Sequence, residues 1–92
     1  MTQAEQAERL RKDVLIVFAE LAKIAPKKLS IFELKRRTGL DGRRVKAAID
    51  SMTYVAPIYE VDVPGVGRYK KVIKYGLLFV PKRFEERIAV IK

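Results

Sequence analysis

An α+β fold is predicted for this 92-residue chain because the spacing of its apolar residues changes once along its length. Up to about residue 54 they recur at the 3.6-residue period of helices, with Gly and Pro only at the joints between periodic stretches. From residue 57 the pattern becomes two β-branched and aromatic runs around Pro64-Gly65-Val66-Gly67, the signature of a hairpin. A third stretch, opened by Pro81, spaces Phe84, Ile88 and Ile91 at i, i+4 and i+7. The expected architecture is one domain over 1–92, with a three-helix core, a β-hairpin at about 57–79 and a short C-terminal helix at about 81–91. No repeat or interdomain linker interrupts it.

The first helix is expected from Thr2 to Ala25, where Leu10, Val14, Phe18, Leu21 and Ala25 recur at helical spacing and Pro26 ends the run. Lys27 and Lys28 then read as a basic turn. Ser30 followed by Glu33 fits a capping box, so a short second helix should occupy about Ile31 to Thr38. Gly39 suits a left-handed stop, Leu40 an apolar plug, and Asp41 an N-cap for a third helix from Gly42 to about Tyr54. In that helix Val45, Ala48, Ile49 and Met52 form a core stripe, leaving Arg43, Ala47, Asp50 and Tyr54 outward with Arg44 and Lys46 on the flanks. Phe32 points away from the Ile31 and Leu34 stripe and is expected to be covered by another element. The strands should span Ile58 to Val63 and Tyr69 to about Phe79.

The net charge of +9 draws the molecule toward polyanions. It is concentrated between residues 27 and 74, where twelve Lys or Arg face five Asp or Glu. With no Cys and no His, finger-type zinc sites, disulfides, thiol nucleophiles and His relays are excluded, and no cofactor is expected. The longest apolar run, Val14 to Ala19, is too short to span a bilayer, and nothing is arranged as a signal peptide, so no membrane association and a cytoplasmic location are expected. Asp41, Asp50, Glu60 and Asp62 each have a structural explanation in a cap, a helix face or a strand, so no catalysis is expected.

The segment Leu29 to Met52, LSIFELKRRTGLDGRRVKAAIDSM, resembles the helix-turn-helix (about 30–54) of many bacterial and archaeal regulators. The likeness lies in Ser30 opening the second helix, Glu33-Leu34 within it, Thr38-Gly39-Leu40 at the turn, and the Val45, Ile49, Met52 stripe. Followed by a hairpin, it is similar to the winged helix-turn-helix of small archaeal or archaeal-virus transcription regulators. Absent Asn and sparse Gln are also similar to heat-adapted composition. One departure is Lys35, where such regulators usually carry a small residue; here the side chain must snorkel outward.

The resemblance implies a sequence-reading duplex-DNA-binding protein whose third helix enters the major groove while the 64–71 tip, the wing, touches backbone or minor groove. Carried over, the groove-facing set is Arg43, Arg44, Lys46 and Ala47, with Asp50 orienting a nearby Arg or accepting from cytosine. Lys35 and Arg36 on the second helix, and Arg68, Lys70 and Lys71 beside the tip, are the further contacts. Sheet tyrosines Tyr59, Tyr69 and Tyr75 are expected to pack on the core rather than stack on bases. The competing reading is a winged-helix docking module of a replication or transcription complex; structured RNA is disfavoured by its narrow major groove.

Leu15, Ile16 and Ala19 lie outside the core-facing stripe of the first helix. A homodimer through residues 10–25, with 84–91 as a second contributing face, is therefore expected.

Overall fold

The computed structural model describes residues 2–53, 56–65 and 71–84. Tyr54, residues 66–70 of the expected hairpin (Arg68 and Lys70 among them) and the Ile88 and Ile91 positions of the expected last helix lie outside the described residues. Within them the chain is α+β. Three helices, α1 (Gln3–Ile24), α2 (Ile31–Thr38) and α3 (Gly42–Met52), accompany three strands, β1 (Lys28–Ser30), β2 (Ile58–Pro64) and β3 (Lys71–Leu77).

Each helix starts on a side-chain cap. The Thr2 hydroxyl accepts from the Glu5 N–H at 3.2 Å, and the Asp41 carboxylate accepts from the Arg44 N–H at 2.9 Å. The α2 capping box is complete: Ser30 Oγ accepts from the Glu33 N–H at 3.2 Å and Glu33 Oε1 from the Ser30 N–H at 3.1 Å. Gly39, at φ 75°, ends α2 in the left-handed region and donates to the Lys35 carbonyl at 2.9 Å. Thr38 fixes the turn from both sides, its hydroxyl donating to the Leu34 carbonyl at 2.7 Å and accepting from the Leu40 N–H at 3.2 Å.

The helices cover one face of an antiparallel sheet of order β1-β3-β2. Val14, Val17 and Leu21 of α1, Leu34 of α2 and the Val45, Ala48, Ile49, Met52 stripe of α3 meet Leu29, Tyr75 and Leu77 from the sheet in one core. Burial of each large aliphatic side chain there stabilises the fold by about 1.5–3 kcal/mol. Gly76 is the point where the sheet admits no side chain. A Cβ there would stand 2.8 Å from the Lys27 carbonyl oxygen and 2.9 Å from the Tyr59 ring, which lies across it from the paired position on β2. The Tyr59 hydroxyl donates to the Pro26 carbonyl.

Several expectations need correction. The Lys27-Lys28 turn is shorter than expected, because Lys28 already begins β1, paired through Leu29 with Tyr75. α3 reaches Met52 and is capped by Thr53. β3 stops at Leu77, leaving Leu78 and Phe79 exposed beyond it. Phe32 is not covered: it is 65% exposed, with the Arg36 guanidinium 6.0 Å from its ring centre. Phe84, expected on an intersubunit face, is buried within its own chain, its ring stacked on Phe18 with centroids 3.6 Å apart.

Candidate nucleic-acid interface

α3 has two distinct sides. Val45, Ala48, Ile49 and Met52 are at most 2% exposed, and this locks the rotation of the helix about its axis. Arg43, Ala47 and Asp50 therefore face solvent at i, i+4 and i+7. The Arg43 side chain has no ion pair or hydrogen bond within the described residues, so its five guanidinium donors are free for a ligand.

The other two cations of α3 have partners within the chain, Arg44 a buried carboxylate and Lys46 an exposed one on its own helix. Arg44 reaches back to Asp13 of α1, its Nε donating to Oδ2 at 2.9 Å and its Nη2 to Oδ1 at 2.6 Å. The Asp13 side chain is only 4% exposed and that of Arg44 33%, so this fork-to-fork pair is a helix-to-helix tie. The bond to Asp13, with the charges of Asp13 and Asp41 beside it, holds the guanidinium pKa above its ordinary value, and desolvation opposes this. Arg44 thus sits on α1 rather than on the outward face.

Lys46 leans the opposite way, toward the sheet. Its Nζ lies 3.1 Å from Asp50 Oδ1, 3.3 Å from the Tyr75 hydroxyl and 5.4 Å from the centre of the Tyr75 ring. The Asp50 and Tyr75 hydrogen bonds raise the ammonium pKa. Asp50, expected to orient an Arg or meet a base, has Lys46 as its partner. Tyr75 is in the core as expected, with its hydroxyl on Lys46.

On α2, Lys35 and Arg36 are exposed. The Lys35 stem passes the start of α3, its Cδ 3.5 Å from where a Cβ on Gly42 would stand. That is an ordinary van der Waals contact, so the long side chain is accommodated by running past this helix junction into solvent. Glu33 is partly buried, which raises its carboxyl pKa, yet the Ser30 N–H, Lys74 and the Ser30 hydroxyl together hold it below its ordinary 4.5. Lys74 Nζ lies 3.2 Å from Glu33 Oε1, joining β3 to the start of α2. Asp41 is likewise held below 3.8, chiefly by the Arg44 N–H.

At the hairpin, Lys71 is exposed opposite Pro64; Arg68 and Lys70 fall outside the described residues. Two cations the sequence reading gave no role, Lys27 and Lys28, border a recess with Tyr59 and Lys74 on the sheet. Their signal was present as a Lys pair, but only the pairing of β1 with β3 assigns them to this surface. No group of His, Cys, Asp or Glu that could hold a metal occurs among the described residues, and no described helix is long and apolar enough to cross a membrane. Compared with protein-family models, curated proteins and solved structures, the chain gives no match.

Proposed function

We propose that this chain is a winged helix-turn-helix protein that binds duplex DNA and reads its sequence as a transcription regulator. The observation that carries the reading is Arg43, its side chain unpaired among the described residues, with Ala47 on the solvent face of a helix whose opposite face is wholly core. That helix follows α2 through a Gly39 turn held by Thr38. A helix so fixed presents its side chains to a major groove without further ordering. The β2–β3 hairpin supplies the wing, with Lys71 on the phosphate backbone, and Lys35 and Arg36 flank α3 as phosphate contacts.

A homodimer through residues 10–25 fits this reading. Leu15 and Ile16 are 37% and 40% exposed on the side of α1 away from the core. Two copies joined there would place two α3 helices on successive faces of one duplex. Ile16→Glu is expected to give a folded monomer with weakened binding. A wild-type protein that sediments as a monomer at about tens of micromolar removes the dimer.

The test of the main reading is a mobility-shift titration against salt with random duplex as competitor. Six to eight phosphate contacts predict a log–log slope of about −5 to −7. A flat response overturns it in favour of the docking module, the reading favoured by the run of exposed apolar residues Leu78, Phe79 and Val80.

A further inference from the structure

One side of α1 changes character along its length. Gln6, Leu10, Asp13, Val17 and Leu21 are spaced so that they share that side. In the C-terminal half it is core, with Val17 and Leu21 fully buried. In the N-terminal half it turns polar: Asp13 is buried on Arg44, and Gln6 and Arg9 are exposed. At 22 residues α1 is about 33 Å long, against about 17 Å for the 11 residues of α3, so its first turns outrun the core.

Between those turns and the start of α3 lies an open cleft of about 390 Å³, walled by Gln6 and Arg9 on one side and by Arg43, Arg44 and Ala47 on the other. Three guanidinium groups line it. Asp13 neutralises that of Arg44, while the side chains of Arg9 and Arg43 have no ion pair or hydrogen bond within the described residues. Arg9 is close enough to the start of α3 for its charge to help hold down the Asp41 carboxyl. Two like charges facing one recess repel, and an anion between them converts that repulsion into two attractions.

We propose that this cleft is a phosphodiester clamp, in which the Arg9 guanidinium of α1 grips one backbone phosphate of a duplex and the Gln6 amide adds a donor, while Arg43 of α3 adds the attraction of its charge from the side and keeps its donors for the base edge. The inference rests on the reading of α3 as the groove helix and extends the contact surface to an element outside the helix-turn-helix. Geometry favours a phosphate over a base at this place. A helix with side chains is about 10–12 Å across and fills a major groove about 12 Å wide. A second helix packed on its flank therefore overlies the phosphate ridge. Guanidinium is suited to it, since its planar fork meets two phosphate oxygens at once.

The experiment is a fluorescence-anisotropy titration of a labelled 24-base-pair random-sequence duplex, and of a duplex selected for tight binding, with wild type and the variants Arg9→Ala, Arg9→Lys, Lys12→Ala and Arg43→Ala. Arg9→Ala is expected to weaken both duplexes by roughly 5- to 10-fold and to lower the magnitude of the salt slope by about 1, with base preference unchanged. Arg9→Lys should restore most of the affinity. Lys12→Ala, whose side chain points to Glu8 outside the cleft, should match wild type. Because Arg9 is exposed, thermal unfolding should be the same for wild type and Arg9→Ala. If Arg9→Ala binds like wild type while Arg43→Ala does not, the clamp is overturned and the groove reading stands. If both variants bind like wild type, or wild type binds neither duplex, the groove reading and the clamp both fall.

Discussion

α2 and α3 carry cations of the same type at similar density, and the fold treats them in opposite ways. On α2, Lys35 and Arg36 extend into solvent, and Arg37 only approaches Glu20 at 3.9 Å. On α3, Arg44 is clamped by Asp13 and Lys46 is held by Asp50 and Tyr75, so Arg43 is the free cation of that helix among the described residues. The difference teaches that a count of basic residues on an exposed helix overstates the charge offered to a ligand. What matters is whether a carboxylate elsewhere in the chain reaches the cation first. A buried carboxylate such as Asp13 has no alternative to Arg44, because unpaired burial of its charge is strongly unfavourable.

The largest effect that would sharpen this contrast comes from Asp13→Ala. It removes both charge-assisted hydrogen bonds across the α1–α3 contact, and Tm should fall by about 10 °C. Binding to random duplex should hold or strengthen in the same variant, since a guanidinium is released toward the outside. Unchanged Tm would mean that the pair is incidental. Arg43→Ala should do the reverse, leaving Tm in place and weakening binding to a preferred duplex by about 1–3 kcal/mol with relaxed base preference.

Smaller changes probe the start of α2. Ser30→Ala removes one arm of the capping box and should destabilise by about 1 kcal/mol in denaturant unfolding. Arg36→Ala should change stability by no more than about 0.5 kcal/mol, as expected of an exposed cation at 6.0 Å from an exposed ring. A larger loss there would erase the contrast between the two helices.

The smallest expected effect is on pH dependence. The folded-state pKa values of Glu33 and Asp41 lie below their ordinary 4.5 and 3.8. The stability these carboxylates contribute is thus fully present above about pH 4.5 and is lost as the pH falls through the lowered folded values. Glu33→Gln should flatten part of that acid limb of the Tm curve and leave the neutral plateau level with pH. An acid limb as steep as wild type would remove Glu33 from this account.

Local signals carried much of the fold. Ser30 and Glu33, three residues apart, define a cap that needs no tertiary partner, and Gly39 a stop that needs only its own backbone, so α2 matches its expected bounds. The α3 stripe was equally legible because one period fixed all four buried positions. What escaped were features that depend on distant parts of the chain. β1 is three residues long, too short for any period, and exists through pairing with residues 74–76. Asp13 read as a polar residue on a helix, and only the packing of α1 on α3 shows it to be the partner of Arg44, 31 residues away. Phe32 was expected to be covered on hydrophobicity alone, although a single exposed apolar residue is ordinary on a protein surface. The candidate site follows the same division, with Arg43 and Ala47 readable from the helical wheel and the engagement of Arg44 and Lys46 not.

The central claim is that Arg43, on a rotationally fixed α3, reads bases in a duplex. Selection of bound sequences from a random duplex pool, run in parallel with wild type and Arg43→Ala, tests it most directly. Wild type should enrich a defined motif, two-fold symmetric if the α1 dimer forms, and Arg43→Ala should lose preference at one position of each half-site while keeping the remainder. An unenriched wild-type pool, or identical motifs from both proteins, would contradict it.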